Sequence, residues 1–488
     1  MTGIPVLSVI VLAPVTAALL IALVGRDPRV PRIIALLAGT ITLVGAGFVF
    51  ATYDRAAAGF QFAESVPWIP SLGVAYSLGV DGISVPMLLL TALIIFTGVL
   101  VSWNVEHRPR EYFALLLFLV TGVYGVFAAR DAFLLFFFYE MAVLPMYLLI
   151  AVWGSTRKEY SAMKLTLFLF AGSATLIVLL VLVYWQVGQG TFDLATWSAY
   201  AFPASFQRWG FLLALLGFGT LIPIFPLHTW SPDGHVAAPT AVSMLHAGVL
   251  LKIGAYGLIR LGLTLFPQGW ANWALVLGII GIINIVYGAL CAMSQTDLKY
   301  VIGYSSVSHM GYVLLGLAVG GRFGLTGAVF QMFAHGIMTG LFFALIGYVY
   351  EQTHTRQIAE ISGLMQRAPL VSACFIIAAA SSMGLPSTAG FVAELLVYVG
   401  VVVKSIWMAA AAFVGVVVTA AYLLRMLSRV LLGDPSPAVE PISDAPALRF
   451  APMAILAGTI MLVGIVPGAM YSMISSGIPP LLQRLAGG

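Results

Sequence analysis

Residues 219–226 read Gly219-Thr220-Leu221-Ile222-Pro223-Ile224-Phe225-Pro226, and residues 384–390 read Gly384-Leu385-Pro386-Ser387-Thr388-Ala389-Gly390. Both stretches lie inside long apolar runs. Proline removes an amide donor and clashes with the turn before it. Glycine beside it loosens the same point. Each run is therefore expected to be a helix broken along its length.

The surrounding composition says what these helices cross. The chain has 488 residues, of which 61% are hydrophobic and only 8% charged, with a mean hydropathy of +1.04. A soluble domain carries roughly 25% charged residues. A membrane span needs about 20 apolar residues. Apolar segments between residues 4 and 473 predict about fourteen such helices, in continuous runs that exclude a β-barrel. The first run has no basic flank before it and no cleavage-site pattern, so it is expected to be a retained helix. The net charge of +4 is small and scattered, which excludes a nucleic-acid partner. Cys291 and Cys374 lie singly in apolar stretches and make no iron–sulfur or zinc framework. No redox centre or metal site is expected in this chain.

Lys and Arg in the loops set the orientation. One side holds Arg26, Arg29, Arg32, Arg108, Arg110, Arg157, Lys158, Lys299, Arg356, Arg367, Arg425, Arg429 and Arg449. The other holds Arg55, Arg130, Arg208, Arg260, Arg322, Lys404 and Arg484. The bias makes the first side cytoplasmic and places both termini outside. The longest external loop, about 53–81, has no domain-like composition. The two breaks fall in the seventh and twelfth helices, five apart. A five-helix unit repeated with inverted topology (about 111–264 and 270–432) puts them in corresponding positions, as in transporters with midplane sites. The expected fold is thus one all-α polytopic membrane domain over 1–488.

Ionisable side chains inside a bilayer are costly and usually functional. Glu140 lies about nine residues into its helix, roughly 13 Å deep. With no local partner, such a carboxylate takes up a proton. Lys252 lies deep in the eighth helix and can alternate between charged and neutral when desolvated. His335, near the middle of the eleventh, accepts at one ring nitrogen and donates at the other. Glu394 follows the second break, at the position of a gate. Lys164 sits near the cytoplasmic start of the sixth helix, as a relay or as a snorkelling stem. His228, Asp233 and His235 share a proline-rich stretch without a common helical face or a fourth ligand; a scaffold for the cytoplasmic mouth is expected there, not a metal.

These residues sit in motifs that closely resemble the antiporter-like membrane subunits of complex I, in particular the M-type branch of bacterial NADH–quinone oxidoreductase (chain 4 in mitochondria). Pro226 to Leu261, PLHTWSPDGHVAAPTAVSMLHAGVLLKIGAYGLIRL, carries the strongest likeness. Gly79–Ser84, Tyr304–Gly311, Gln331–Gly336 and Tyr350–Thr355 extend it, and it covers about residues 75–430. The resemblance implies fourteen helices in inverted five-helix repeats and places Glu140, Lys252, His335 and Glu394 on proton-channel positions. Glutamate at 394 separates the chain from the L- and N-type sisters, which usually carry lysine there. It also implies L- and N-type partner subunits in a bacterial inner (plasma) membrane, with NADH, FMN, iron–sulfur clusters and quinone held by partners. One position departs from the pattern. The family usually has lysine two residues before the first proline of the seventh-helix break, where this chain has Leu221. That lysine pairs with the fifth-helix glutamate, so Glu140 lacks its usual partner; Lys164 is one substitute, an altered half-channel another, and a divergent copy within a modified complex a third. The leading expectation is a proton-pumping subunit of a respiratory NADH–quinone oxidoreductase. The alternatives are a subunit of an Mrp-type cation/proton antiporter, against which Glu394 argues, and a subunit of a membrane-bound hydrogenase or another donor-linked complex.

Overall fold

The computed structural model describes residues 5–24, 27–57 and 59–487. Arg26, one of the basic residues of the first loop, lies outside the described residues.

Helices dominate. In chain order they are α1 (Val6–Val24), α2 (Arg29–Thr52), α3 (Ser84–Val101), α4 (Pro109–Ala128), α5 (Ala132–Trp153) and α6 (Lys158–Val187). A short α7 (Leu194–Ala199) leads to α8 (Ala204–Leu221), α9 (Trp230–Ala237) and α10 (Thr240–Leu263). Then follow α11 (Pro267–Ser294), α12 (Leu298–Val319), α13 (Gly321–Thr353), α14 (Pro369–Ser382), α15 (Ala389–Lys404), α16 (Ile406–Leu431) and α17 (Ala447–Ile465). Two nine-residue helices, α18 (Gly468–Ser476) and α19 (Ile478–Ala486), close the described chain. Among the described residues, 12 helices are individually long and apolar enough to cross a membrane. The two interrupted crossings, α8–α9 and α14–α15, bring the total to about the expected fourteen.

Polarity and burial run together. Helices α10 and α13, which carry Lys252 and His335, are buried by the rest of the chain along their most apolar stretch. Helices α1, α2, α6, α11, α16 and α17 bury only about a third of theirs and turn Leu, Val, Ile, Phe and Trp outward, as lipid-facing helices do. The polar axis is therefore inside the bundle, where a charge in a membrane belongs.

Both breaks lie where glycine and proline place them, and side chains repair each, from another helix at the first and from the broken helix itself at the second. After α8, the Phe225 amide donates to Asn284 Oδ1 at 2.8 Å, while Asn284 Nδ2 donates to the Pro223 carbonyl at 3.0 Å. Trp230 Nε1 donates to the Thr220 carbonyl at 3.0 Å. The chain thus satisfies backbone groups that lipid would leave bare. At the second break, Gly384 adopts φ +64°, and the Gly390 amide donates to Ser381 Oγ at 3.3 Å.

The loop 53–81 differs from expectation. It folds as an antiparallel hairpin of β1 (Gln61–Ile69) and β2 (Val74–Val80) with bulges in its register. The Arg130 amide donates to the Ser77 carbonyl at 2.9 Å, and Asp131 accepts from the Ala75 amide at 3.2 Å. The hairpin is fastened to the start of α5.

Candidate functional site

The centre of the site depends on two glycines. A methyl group on Gly336 of α13 would lie 2.6 Å from the carbonyl oxygen of Gly248 of α10, so the two backbones nearly touch. That approach brings Lys252, one turn beyond Gly248, onto His335. Lys252 Nζ lies 2.7 Å from His335 Nδ1 and also donates to the Ala247 carbonyl. With Nζ donating, Nδ1 accepts, and the proton of the neutral ring sits on Nε2. Lys252 is fully buried, and among the described residues no carboxylate pairs with it. An ammonium without a counter-ion in such surroundings is costly. Two π-helical turns, His246–Leu250 and Leu258–Leu263, flank it. Such turns gather at functional positions.

The row continues through a residue that the sequence reading did not single out. The rings of His335 and His309 stack with centroids 5.5 Å apart. His309 Nδ1 lies 2.8 Å from the Ser305 carbonyl and Nε2 lies 3.1 Å from the Ser382 carbonyl. Each nitrogen faces an acceptor, so this ring holds a proton on either one or on both. Glu394 Oε1 lies 3.7 Å from Nε2. Lys252, His335, His309 and Glu394 therefore stand in sequence across α10, α13, α12 and α15. His309 was legible as a polar residue in an apolar helix, within the Tyr304–Gly311 motif.

Glu140 and Lys164 belong to a different neighbourhood, and they do not pair. Glu140, on α5, accepts from Ser173 Oγ of α6. Lys164 Nζ instead donates to Asp233 Oδ2 at 2.7 Å, and the Tyr300 hydroxyl donates to Asp233 Oδ1 at 3.0 Å. The physical reason is reach. The break after α8 delivers α9 and its Asp233 to the start of α6, while Glu140 lies against the middle of that helix. The Leu221 side chain is buried and supplies no charge. His228, Asp233 and His235 have separate surroundings. His235 Nε2 lies 3.1 Å from Ser231 Oγ, its ring packs 4.1 Å from that of His246, and His228 stacks on Phe225. Among the described residues, no group of three or more His, Cys, Asp or Glu side chains is placed to hold a metal ion.

A second ion pair lies at the far end of α10. Arg260 Nη2 donates to Asp81 Oδ1 at 2.6 Å, and the Ile83 and Ser84 amides each donate to the same oxygen at 3.0 Å. Burial alone pushes the Asp81 carboxyl up; the Arg260 charge and the Ser84 hydrogen bonds outweigh it and hold the group below its ordinary value. A cavity of about 390 Å³ opens beside the pair, walled also by Tyr53 and Arg484.

Comparison with known proteins agrees with this geometry. The transmembrane family described as NADH:quinone oxidoreductase/Mrp antiporter matches residues 129–419. The chain belongs to this family. It is 41% identical to NAD(P)H-quinone oxidoreductase chain 4 3 of Picosynechococcus sp., over 87% of this chain and 79% of that one. It is 36% identical to NADH-quinone oxidoreductase subunit M of Rhodobacter capsulatus, over 98% and 96%. Its fold superposes on a chain of respiratory complex I from Thermus thermophilus with a TM-score of 0.89 and 29% identity, covering 98% and 99%. A chain of the Mrp complex from Dietzia sp. shares the fold with a TM-score of 0.87 at 22% identity, covering 99% and 100%. Family membership fits a membrane subunit with a polar interior axis, and it leaves the roles of individual side chains to their geometry.

Proposed function

We propose that this chain is a proton-translocating membrane-arm subunit of a respiratory NADH–quinone oxidoreductase. One observation carries the reading: a buried row of titratable groups, Lys252, His335, His309 and Glu394, crosses the bundle. Such a row suits proton transfer through an apolar bundle. Lys252 Nζ meets His335 Nδ1 at one end of the row, the His335 ring stacks on His309, and His309 Nε2 faces Glu394 at the other, so protons move between the four sites. The direction is set by the charge state of the ends, since bringing positive charge near Lys252 favours the neutral amine and bringing negative charge near it favours the ammonium. Events in partner chains supply that bias, with NADH, FMN, iron–sulfur clusters and quinone bound there.

The likeness to subunit M and chain 4 proteins supports L- and N-type neighbours in a bacterial plasma membrane. The loops rich in arginine face the cytoplasm, and the chain ends face the other side. The matching breaks α8–α9 and α14–α15 support two inverted five-helix repeats, about 111–264 and 270–432. In this scheme the first repeat differs from the second. Its carboxylate Glu140 has a hydroxyl for a partner, and its cation Lys164 is held by Asp233.

The test is proton pumping by the whole reconstituted complex. Glu394→Gln and Lys252→Met are expected to keep quinone reduction in uncoupled membranes and to lose protons moved per quinone reduced. Full pumping by both variants would make the row a structural scaffold and end the proposal.

A further inference from the structure

A surface cavity of about 130 Å³ opens between the end of α11, the start of α12 and the end of α16, on the face that bears the arginine-rich loops. Ser294, Thr296, Ala359, Tyr422, Arg425 and Arg429 are among its walls. Tyr422 is only 3% exposed, and its hydroxyl turns inward, donating to Ser305 Oγ at 2.8 Å. Ser305 Oγ lies 3.3 Å from His309 Nδ1. His309 Nε2 lies 3.7 Å from Glu394. Two hydroxyls, one imidazole and one carboxylate thus join the cavity to the centre of the buried row.

We propose that Tyr422 and Ser305 form the inlet by which protons from the arginine-rich face reach His309 and Glu394. The inlet rests on the proton-carrying reading given above. A proton arriving at the Tyr422 oxygen displaces the hydroxyl proton to Ser305 Oγ, which passes its own proton to Nδ1. Each hydroxyl ends with one proton, as it began. The imidazolium then has the Ser305 carbonyl as acceptor at Nδ1 and the Ser382 carbonyl at Nε2. It releases from Nε2 to Glu394, and tautomer exchange resets the ring. Because the first links are hydroxyls, the inlet conducts without placing a fixed charge between cavity and row. Arg425 and Arg429 are exposed, so water and salt screen their charge from the buried hydroxyls. A metal cation has no comparable route, since only a proton passes by hydroxyl exchange.

The test uses the full complex in vesicles and reads protons moved per quinone reduced. Tyr422→Phe keeps the ring and removes the hydroxyl, and the ratio is expected to fall several-fold with uncoupled quinone reduction intact. Ala359→Cys puts a thiol on the exposed wall. Labelling it with a bulky charged methanethiosulfonate, which forms a mixed disulfide and releases a sulfinate, blocks the mouth without touching the core. The ratio is expected to fall on labelling and to recover on reduction, with labelled wild type as the control for Cys291. If Tyr422→Phe and labelled Ala359→Cys both pump as wild type while Glu394→Gln does not, the inlet is elsewhere and the function stands. If Glu394→Gln also pumps as wild type, the function falls, and the inlet with it.

Discussion

At the residue scale the decisive contact is Lys252 with His335, 2.7 Å apart and fully buried. Among the described residues no carboxylate pairs with either side chain, so the pair's charge depends on one mobile proton. Lys252→Met is expected to lower the pumped-proton rate by about two orders of magnitude, the lower range for loss of a positioned proton-transfer group. Stopped-flow proton uptake by reconstituted vesicles measures it. Asp81 makes the opposite case, a charge that is held fixed. Its folded carboxyl lies below the ordinary value because of Arg260. The stability it contributes is therefore present above the ordinary value and is lost as pH falls through the lowered one. Asp81→Asn is expected to flatten that acid limb of a melting-temperature profile and to cost about 3 kcal/mol at neutral pH, because Arg260 is left without its counter-charge. The sequence made the buried charges legible, since a lysine or glutamate in an apolar run stands out. It did not make their partners legible. Lys164 and Asp233 are 69 positions apart, and only the break after α8 brings them together.

At the element scale, glycine and proline announced both helix breaks, and the structure has them there. The repairs were hidden, because Asn284 reaches the first break from another helix. The π-helical turns flanking Lys252 were hidden too, since they change hydrogen bonding without changing the apolar pattern. The hairpin over 61–80 was missed for a local reason: Pro67 interrupts its first strand, and proline within an apolar alternation speaks against a strand. The second break also holds its glutamate in place. Gly384 has φ +64°, and a methyl group there would lie 2.6 Å from Glu394 Oε2. Gly384→Ala is expected to destabilise the protein by about 1–2 kcal/mol through backbone strain. It should also push Glu394 off His309. Thermal unfolding checks the first effect, and proton pumping at a temperature where the variant is folded checks the second.

At the scale of the whole molecule, a row in series and two separate routes predict different arithmetic. If Lys252, His335, His309 and Glu394 act as one unit, disabling the unit at one place stops it entirely. The double variant Lys252→Met with Glu394→Gln is then expected to pump no worse than the poorer single variant, because groups acting as one unit are non-additive. Glu140 stands outside the row, bonded to Ser173. Its loss is expected to be milder than the loss of Glu394. If the route past Glu140 runs in parallel, adding Glu140→Gln to Glu394→Gln should lower pumping further. Leu221→Lys extends the contrast. It lies at the end of α8, next to Thr220, whose side chain packs on Gly172 beside Ser173. A lysine there is expected to make pumping more sensitive to Glu140→Gln than it is in wild type. Pumping measured across these single and double variants decides between one path and two.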